Sequence, residues 1–258
     1  MKLPIYQVDA FAEKPFSGNP AAVCPLEEWL PDHTLQAIAE ENNLSETAYY
    51  VKEGDSYRIR WFTPNKEVDL CGHATLAAAY VLFMLSNDQN DLSFKSRSGP
   101  LSVSKFEDTL TLNFPQQPGT LCDAPQNLSE ALGKAPSECY AADDYMAVFE
   151  SEADILSLEP DFSLLQSLQL RGVIATAPGE SCDFVSRFFA PKYGIDEDPV
   201  TGSAHCTLTP YWSARLRKEK LNAQQLSKRR GHLTCEQHDD RILISGKAIL
   251  YLEGSIFI

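Results

Sequence analysis

Hydrophobic and polar positions divide the chain into short alternating runs and a few helical stretches. Residues 3–11 alternate as a strand, Ser17-Gly18-Asn19-Pro20 is a turn signal, and Ala21-Ala22-Val23 returns to apolar character. Residues 31–43 predict an amphipathic helix, with Leu35, Ile38 and Ala39 on one side and Pro31 at its start. Residues 48–51, 57–62, 101–105 and 110–114 read as strands, and 115–125, with three prolines and a glycine, as a linker. Beyond it, 127–132 and 162–170 are helical. Strands are predicted at 145–150, 172–177 and 184–189, and hairpin-like runs at 231–236, 241–247 and 249–258 close the chain. Strand runs bracketing single helices imply an α+β fold rather than alternating βαβ units.

Residues 70–87 contain no Asp, Glu, Lys or Arg, close to the length that crosses a bilayer. The run opens on Cys-Gly-His, is rich in Ala and lacks positive flanks, which suits a helix buried inside protein on all sides.

The pattern repeats. Arg60-Trp61-Phe62-Thr63-Pro64 matches Arg187-Phe188-Phe189-Ala190-Pro191, and Gly72-His73-Ala74 matches Gly202-Ser203-Ala204. The offset grows from 127 to 130, so the second copy has three extra residues in its connecting loop. An uncharged helix is expected after each copy, the second kinked or shortened by Pro210. Two related domains follow: 1–117, carrying Glu46 and His73, and 118–258, carrying Asp198, Gly202 and Ser203. The last strand is expected to cross back to the first half.

Composition narrows the function. With 258 residues, 43% hydrophobic and 22% charged, the chain is of ordinary globular type, and its net charge of −14 argues against nucleic-acid and membrane partners. The N-terminus lacks the features of a signal peptide. Seven cysteines (Cys24, Cys71, Cys122, Cys139, Cys182, Cys206, Cys235) without CxxC pairs read as reduced thiols of a cytoplasmic protein. His232, Cys235 and His238 have ligand-like spacing, but residues three apart in a strand face opposite ways, so no metal is expected. Lys228-Arg229-Arg230 reads as a solvated turn.

Each copy ends a strand at proline and opens a helix at glycine. Helix N-termini present unpaired N–H groups and partial positive charge, so two facing one cleft would hold a carboxylate without Lys or Arg. Asp69, Cys71 and His73 precede or open the first helix, and Asp196, Glu197 and Asp198 precede the second. Asp69 and Asp198 read equally as caps. His73, at a helix start, is expected to resist protonation and to act as a neutral imidazole. Glu46, in Asn43-Leu44-Ser45-Glu46-Thr47-Ala48, is flanked by residues that favour burial; a partly desolvated carboxyl there can take and return a proton.

Together these residues resemble the PhzF-like family, named for the phenazine-biosynthesis isomerase. The matching segments are Val8-Asp9-Ala10-Phe11, Gly18-Asn19-Pro20-Ala21, Asn43-Leu44-Ser45-Glu46-Thr47, Phe62-Thr63-Pro64 and Leu70-Cys71-Gly72-His73-Ala74-Thr75. In the second half they are the 187–191 segment and Asp198-Pro199-Val200-Thr201-Gly202-Ser203-Ala204. The resemblance implies a fold similar to diaminopimelate epimerase: two pseudo-symmetric domains, each a curved, mostly antiparallel sheet or barrel around a central helix, with the active site between them. It implies a cofactor-independent isomerase moving a proton on a small carboxylate-bearing, amino-acid-like or cyclic metabolite, and a homodimer. A racemase or epimerase, or a metabolite-binding protein without catalysis, are the alternative readings. It maps catalytic roles onto Glu46, His73 and Asp198, and substrate binding onto Gly72, Gly202, Ser203 and Asn19. Diaminopimelate epimerase pairs two cysteines; Cys71 occupies the first place and Pro199 the second, which leaves no symmetric two-thiol reaction.

Overall fold

The computed structural model describes residues 1–86 and 90–258. In chain order the elements are β1 (Lys2–Ala10), β2 (Asn19–Leu26), α1 (Asp32–Asn42), β3 (Glu46–Glu53), β4 (Ser56–Phe62), β5 (Glu67–Val68), α2 (Gly72–Leu85), β6 (Asp91–Ser96), β7 (Gly99–Phe106) and β8 (Thr109–Pro115). Then come β9 (Thr120–Leu121), α3 (Leu128–Leu132), β10 (Glu138–Ala141), β11 (Tyr145–Val148), α4 (Glu152–Leu156), α5 (Phe162–Gln166), β12 (Val173–Pro178) and β13 (Phe184–Ala190). The last are β14 (Ile195–Asp198), α6 (Gly202–Leu216), β15 (Lys220–Gln225), β16 (Gly231–His238), β17 (Arg241–Gly246) and β18 (Ala248–Phe257). The fold is mixed α+β, as the strand-and-single-helix pattern implied. β5, β6, β9, β10, β14, β15 and α4 are additions to the elements expected from sequence. Asn87, the last residue of the uncharged run, lies outside the described residues.

Two compact units emerge. One comprises Met1–Asn113 with Ser245–Ile258, the other Phe114–Ile244. The chain therefore passes between them at 113/114 rather than 117/118. The last strand belongs with the first unit, where β18 pairs antiparallel with β1 from Lys2↔Phe257 to Ala10↔Ala248.

Each unit uses the same order of pairings. In the first, β18–β1 and β1–β2 are antiparallel, β2–β3 parallel, β3–β4 antiparallel, β4–β6 parallel and β6–β7 antiparallel. In the second, β9–β10 and β10–β11 are antiparallel, β11–β12 parallel, β12–β13 antiparallel, β13–β15 parallel and β15–β16 antiparallel. Parallel neighbours need crossovers. These are α1 and α2 in the first unit; in the second, α4 with α5, and then α6. The repeat read from short motifs thus extends through the topology.

A shared ion pair braces both copies. Arg60 donates through Nε and Nη2 to Glu67 at 2.7 and 2.8 Å, and Arg187 does the same to Glu197 at 2.7 and 3.0 Å. Each guanidinium lies over a phenylalanine of its own strand, Phe62 at 5.1 Å and Phe189 at 4.9 Å. The second copy is three residues longer between Pro191 and Glu197, where the chain makes a 3-10 turn, Pro191–Tyr193, closed by Gly194 at φ 77°.

α2 is buried along nearly its whole length, from Gly72 through Ala79 and again at Val81, Leu82 and Phe83, as an uncharged helix should be. α6 runs fifteen residues and continues past Pro210, so the expected shortening does not occur. Proline removes the N–H that would bond the Cys206 carbonyl. The backbone N–H of Gln117 takes that carbonyl at 3.0 Å instead. Among the described residues, no helix is long and apolar enough to cross a membrane.

Candidate active site

In the first unit the chain turns at Gly18 into β2. There φ is +67°, and an added Cβ would stand 2.2 Å from the Ala10 carbonyl oxygen, so only glycine fits. The next residue, Asn19, opens β2, and Glu46 opens β3, the parallel neighbour of β2. Cys71 is the N-cap of α2, and His73 is its second residue. All four side chains meet. His73 Nε2 lies 3.1 Å from Glu46 Oε2, and His73 Nδ1 lies 3.1 Å from Asn19 Nδ2 and 3.5 Å from Cys71 Sγ. Asn19, Glu46, Cys71 and His73 are all buried.

The Glu46–His73 contact is close but off line: neither Oε2 nor Nε2 gains an aligned hydrogen bond from it or from any other described residue. Buried polar atoms left this way are uncommon and mark places where a ligand or a transferred proton belongs. Asn19 Nδ2 can only donate, so in this geometry Nδ1 is the acceptor and the ring proton sits on Nε2, toward Glu46. Turning the amide to present its oxygen would suit the cation.

His73 departs from the sequence expectation. Burial, the largest single influence, opposes its charge, but the Cys71 sulfur and the Glu46 carboxylate together raise its pKa well above the usual value. Burial pushes the Cys71 thiol up to about 11, so near neutral pH it is uncharged.

Glu46, Cys71 and His73 also offer donor atoms within 4.8 Å of one another, a spacing that a metal ion could use. Within that set, Nε2 lies 3.1 Å from Glu46 Oε2 and Nδ1 3.5 Å from Cys71 Sγ. His232 and His238 are exposed on β16 while Cys235 is buried, as their strand spacing required.

Asp69 does not join the cluster. It is exposed and stands 3.7 Å from Arg97. Nor does Asp198 cap α6: the N-cap is Thr201, without a side-chain cap, and its hydroxyl donates to Asp198 Oδ2 at 2.5 Å. Gln225, wholly buried, accepts from the Thr201 N–H at 2.8 Å and donates to the Asp198 carbonyl at 2.7 Å. Since Cys71 and Thr201 are the N-caps of the two repeated helices, the counterpart of Cys71 is Thr201 rather than Pro199. Neither alternative supplies a second thiol.

Ser203, half-buried, accepts a hydrogen bond from Arg171 Nη2 at 3.1 Å. Arg171, Asp144, Thr201 and Gln225 escaped the sequence reading. The available signal was the place of Arg171 just before a predicted strand, as Glu46 precedes the corresponding strand in the first half.

A family model described as phenazine biosynthesis-like protein, PhzC-PhzF, matches residues 8–254. An uncharacterized isomerase of Pseudomonas aeruginosa is 54% identical over 257 residues, covering 99% of each chain. A crystal structure of a PhzF-family phenazine biosynthesis protein from Enterococcus faecalis superposes with a TM-score of 0.97 at 51% identity, covering 100% of both chains. A hydroxyproline epimerase from Agrobacterium vitis, solved with trans-4-hydroxy-L-proline, has a TM-score of 0.65 at 9% identity. It covers 99% of this chain and 92% of that one, a likeness of fold alone. The chain belongs to the phenazine biosynthesis-like PhzC-PhzF family and is an enzyme of the isomerase class.

Proposed function

We propose that this isomerase moves a proton on a small carboxylate-bearing metabolite, amino-acid-like or cyclic, by acid–base chemistry that needs no cofactor. The observation that carries the reading is the buried, off-line contact of Glu46 with His73. Glu46 removes a proton from carbon and returns it at another position, and His73 holds the substrate and balances the charge that Glu46 gains and loses. Asn19 orients the ring. In the second unit Asp198, oriented by Thr201, is the proposed further proton group, and Gly202 and Ser203 hold the carboxylate.

A second reading, racemisation with Cys71 as one base, draws on the 3.5 Å Cys71–His73 contact. A thiol pushed up to about 11 is a poor base near neutral pH, which favours Glu46.

The test is solvent exchange. Cyclic amino acids, trans-4-hydroxy-L-proline among them, are incubated with enzyme in deuterated water and followed by NMR and chiral chromatography. Label is expected to enter substrate or product with wild type and to be lost with Glu46→Gln. Exchange unchanged in Glu46→Gln would remove Glu46 from the mechanism. Loss in Cys71→Ser together with inverted product would favour racemisation.

A further inference from the structure

The register of the two sheets shows what stands, in the second unit, where the acid–base cluster stands in the first. Thr47 pairs with Phe62 and Val173 with Phe189, repeat-related partners, so Glu46 and Arg171 lie one and two residues before equivalent strand positions. Ala22 pairs with Thr47 and Tyr145 with Val173, so Asn19 stands three residues and Asp144 one residue before equivalent strand positions. His73 and Ser203 are the same repeat residue. At the same end of the second unit's strands, around the repeat-equivalent Ser203, stands a different cluster: Asp144, Arg171 and Ser203.

Asp144 is buried and accepts from Arg171 through both carboxylate oxygens, Nε at 2.9 Å and Nη2 at 2.5 Å. That fork, with the guanidinium 5.4 Å over the Phe188 ring, fixes the Arg171 head. Nη2 also donates to Ser203 Oγ. A hydroxyl that accepts from a guanidinium turns its own hydrogen elsewhere, so Ser203 is set as an outward donor. Arg171 Nη1 donates to no described residue, and the Arg171 side chain is 31% exposed. Two donors, one of them permanently charged, thus stand side by side on one unit.

We infer that Arg171 and Ser203 together form the anion-binding element of this enzyme, taking a monocarboxylate through Nη1–H and Oγ–H. The inference rests on the reading of Ser203 as a carboxylate-holding residue and replaces the expectation that helix termini bind the anion without a cationic side chain. A guanidinium that merely packed on Phe188 would leave anion binding independent of it.

The probe is acetate. Thermal unfolding of the full-length enzyme is followed against sodium acetate, with sodium chloride at equal ionic strength as reference. Acetate is expected to protect the wild type saturably. Ser203→Ala, which leaves the Arg171–Asp144 pair intact, and Arg171→Gln should each weaken that response at least about ten-fold, with little further loss on combining them. Should Arg171→Gln fail to fold because Asp144 loses its partner, Arg171→Gln/Asp144→Asn keeps two mutually bonding amides and serves instead. No acetate-specific protection in wild type, or an unchanged response in these variants, would overturn the inference. Glu46→Gln should keep the acetate response while losing solvent exchange. Exchange that survives in Glu46→Gln would undo the proton-transfer reading and leave the anion site standing.

Discussion

At the start of α2 the second helical residue is His73, met by a carboxylate, an amide and a thiol. At the start of α6 it is Ser203, met by a guanidinium that a buried carboxylate locks in place. Topology, ion-pair brace and helix entry are the same in both units. The side chains just before the two parallel strands are not. The frame is kept in both units, and a few residues at strand starts differ. The helices also treat histidine in opposite ways. His73 is raised by Glu46 and Cys71 against the effect of burial, whereas burial pushes His205 down to about 4 despite its Nδ1–H donating to the Thr201 carbonyl.

The largest effect that would break the comparison concerns the braces. Glu67→Ala and Glu197→Ala each strand a largely buried arginine and are expected to cost about 3–5 kcal/mol by urea unfolding. Arg187 also donates to the Ile155 and Leu158 carbonyls, so Arg187→Ala should exceed Arg60→Ala, whose remaining charged partner, Asp32, is exposed. Equal losses would mean that those carbonyl contacts add nothing.

Next come the histidines. His205 stays neutral in the fold but takes a proton in the unfolded chain below its ordinary 6.5, so stability should fall as pH drops from there to about 4, by about 3 kcal/mol. His205→Gln should flatten that limb. His73 acts with the opposite sign: its contribution is complete below 6.5 and disappears as pH climbs through its raised value. Chemical denaturation at steps between pH 4 and 9 reads both limbs.

The smallest effect concerns Pro210. Gln117 already satisfies the carbonyl that proline frees, so Pro210→Ala should change stability by less than about 1 kcal/mol. A gain near the roughly 3 kcal/mol of a helix-interior proline would show that α6 is strained where α2 is not.

Much of this was legible in sequence because elements announce their starts. Glycines, prolines and apolar runs marked β1, β2, α1, α2 and α6, and the repeated Arg-to-Pro segment carried the topology with it. Polar residues that are buried because they are satisfied stayed hidden. β15 reads as a polar segment, yet Gln225 faces inward with both ends of its amide bonded. Arg171 and Asp144 lie 27 residues apart, and only strand pairing brings them together. For His73 the sequence shows the helix position but neither the thiol near Nδ1 nor the carboxylate near Nε2.

The central claim is that Glu46 and His73 form one acid–base couple. NMR titration of the His73 imidazole in wild type, Glu46→Gln and Cys71→Ser tests it without knowledge of the substrate. The account expects a pKa well above 6.5 in wild type and a clear fall in both Cys71→Ser and Glu46→Gln. A His73 pKa that is unmoved in Glu46→Gln would contradict it.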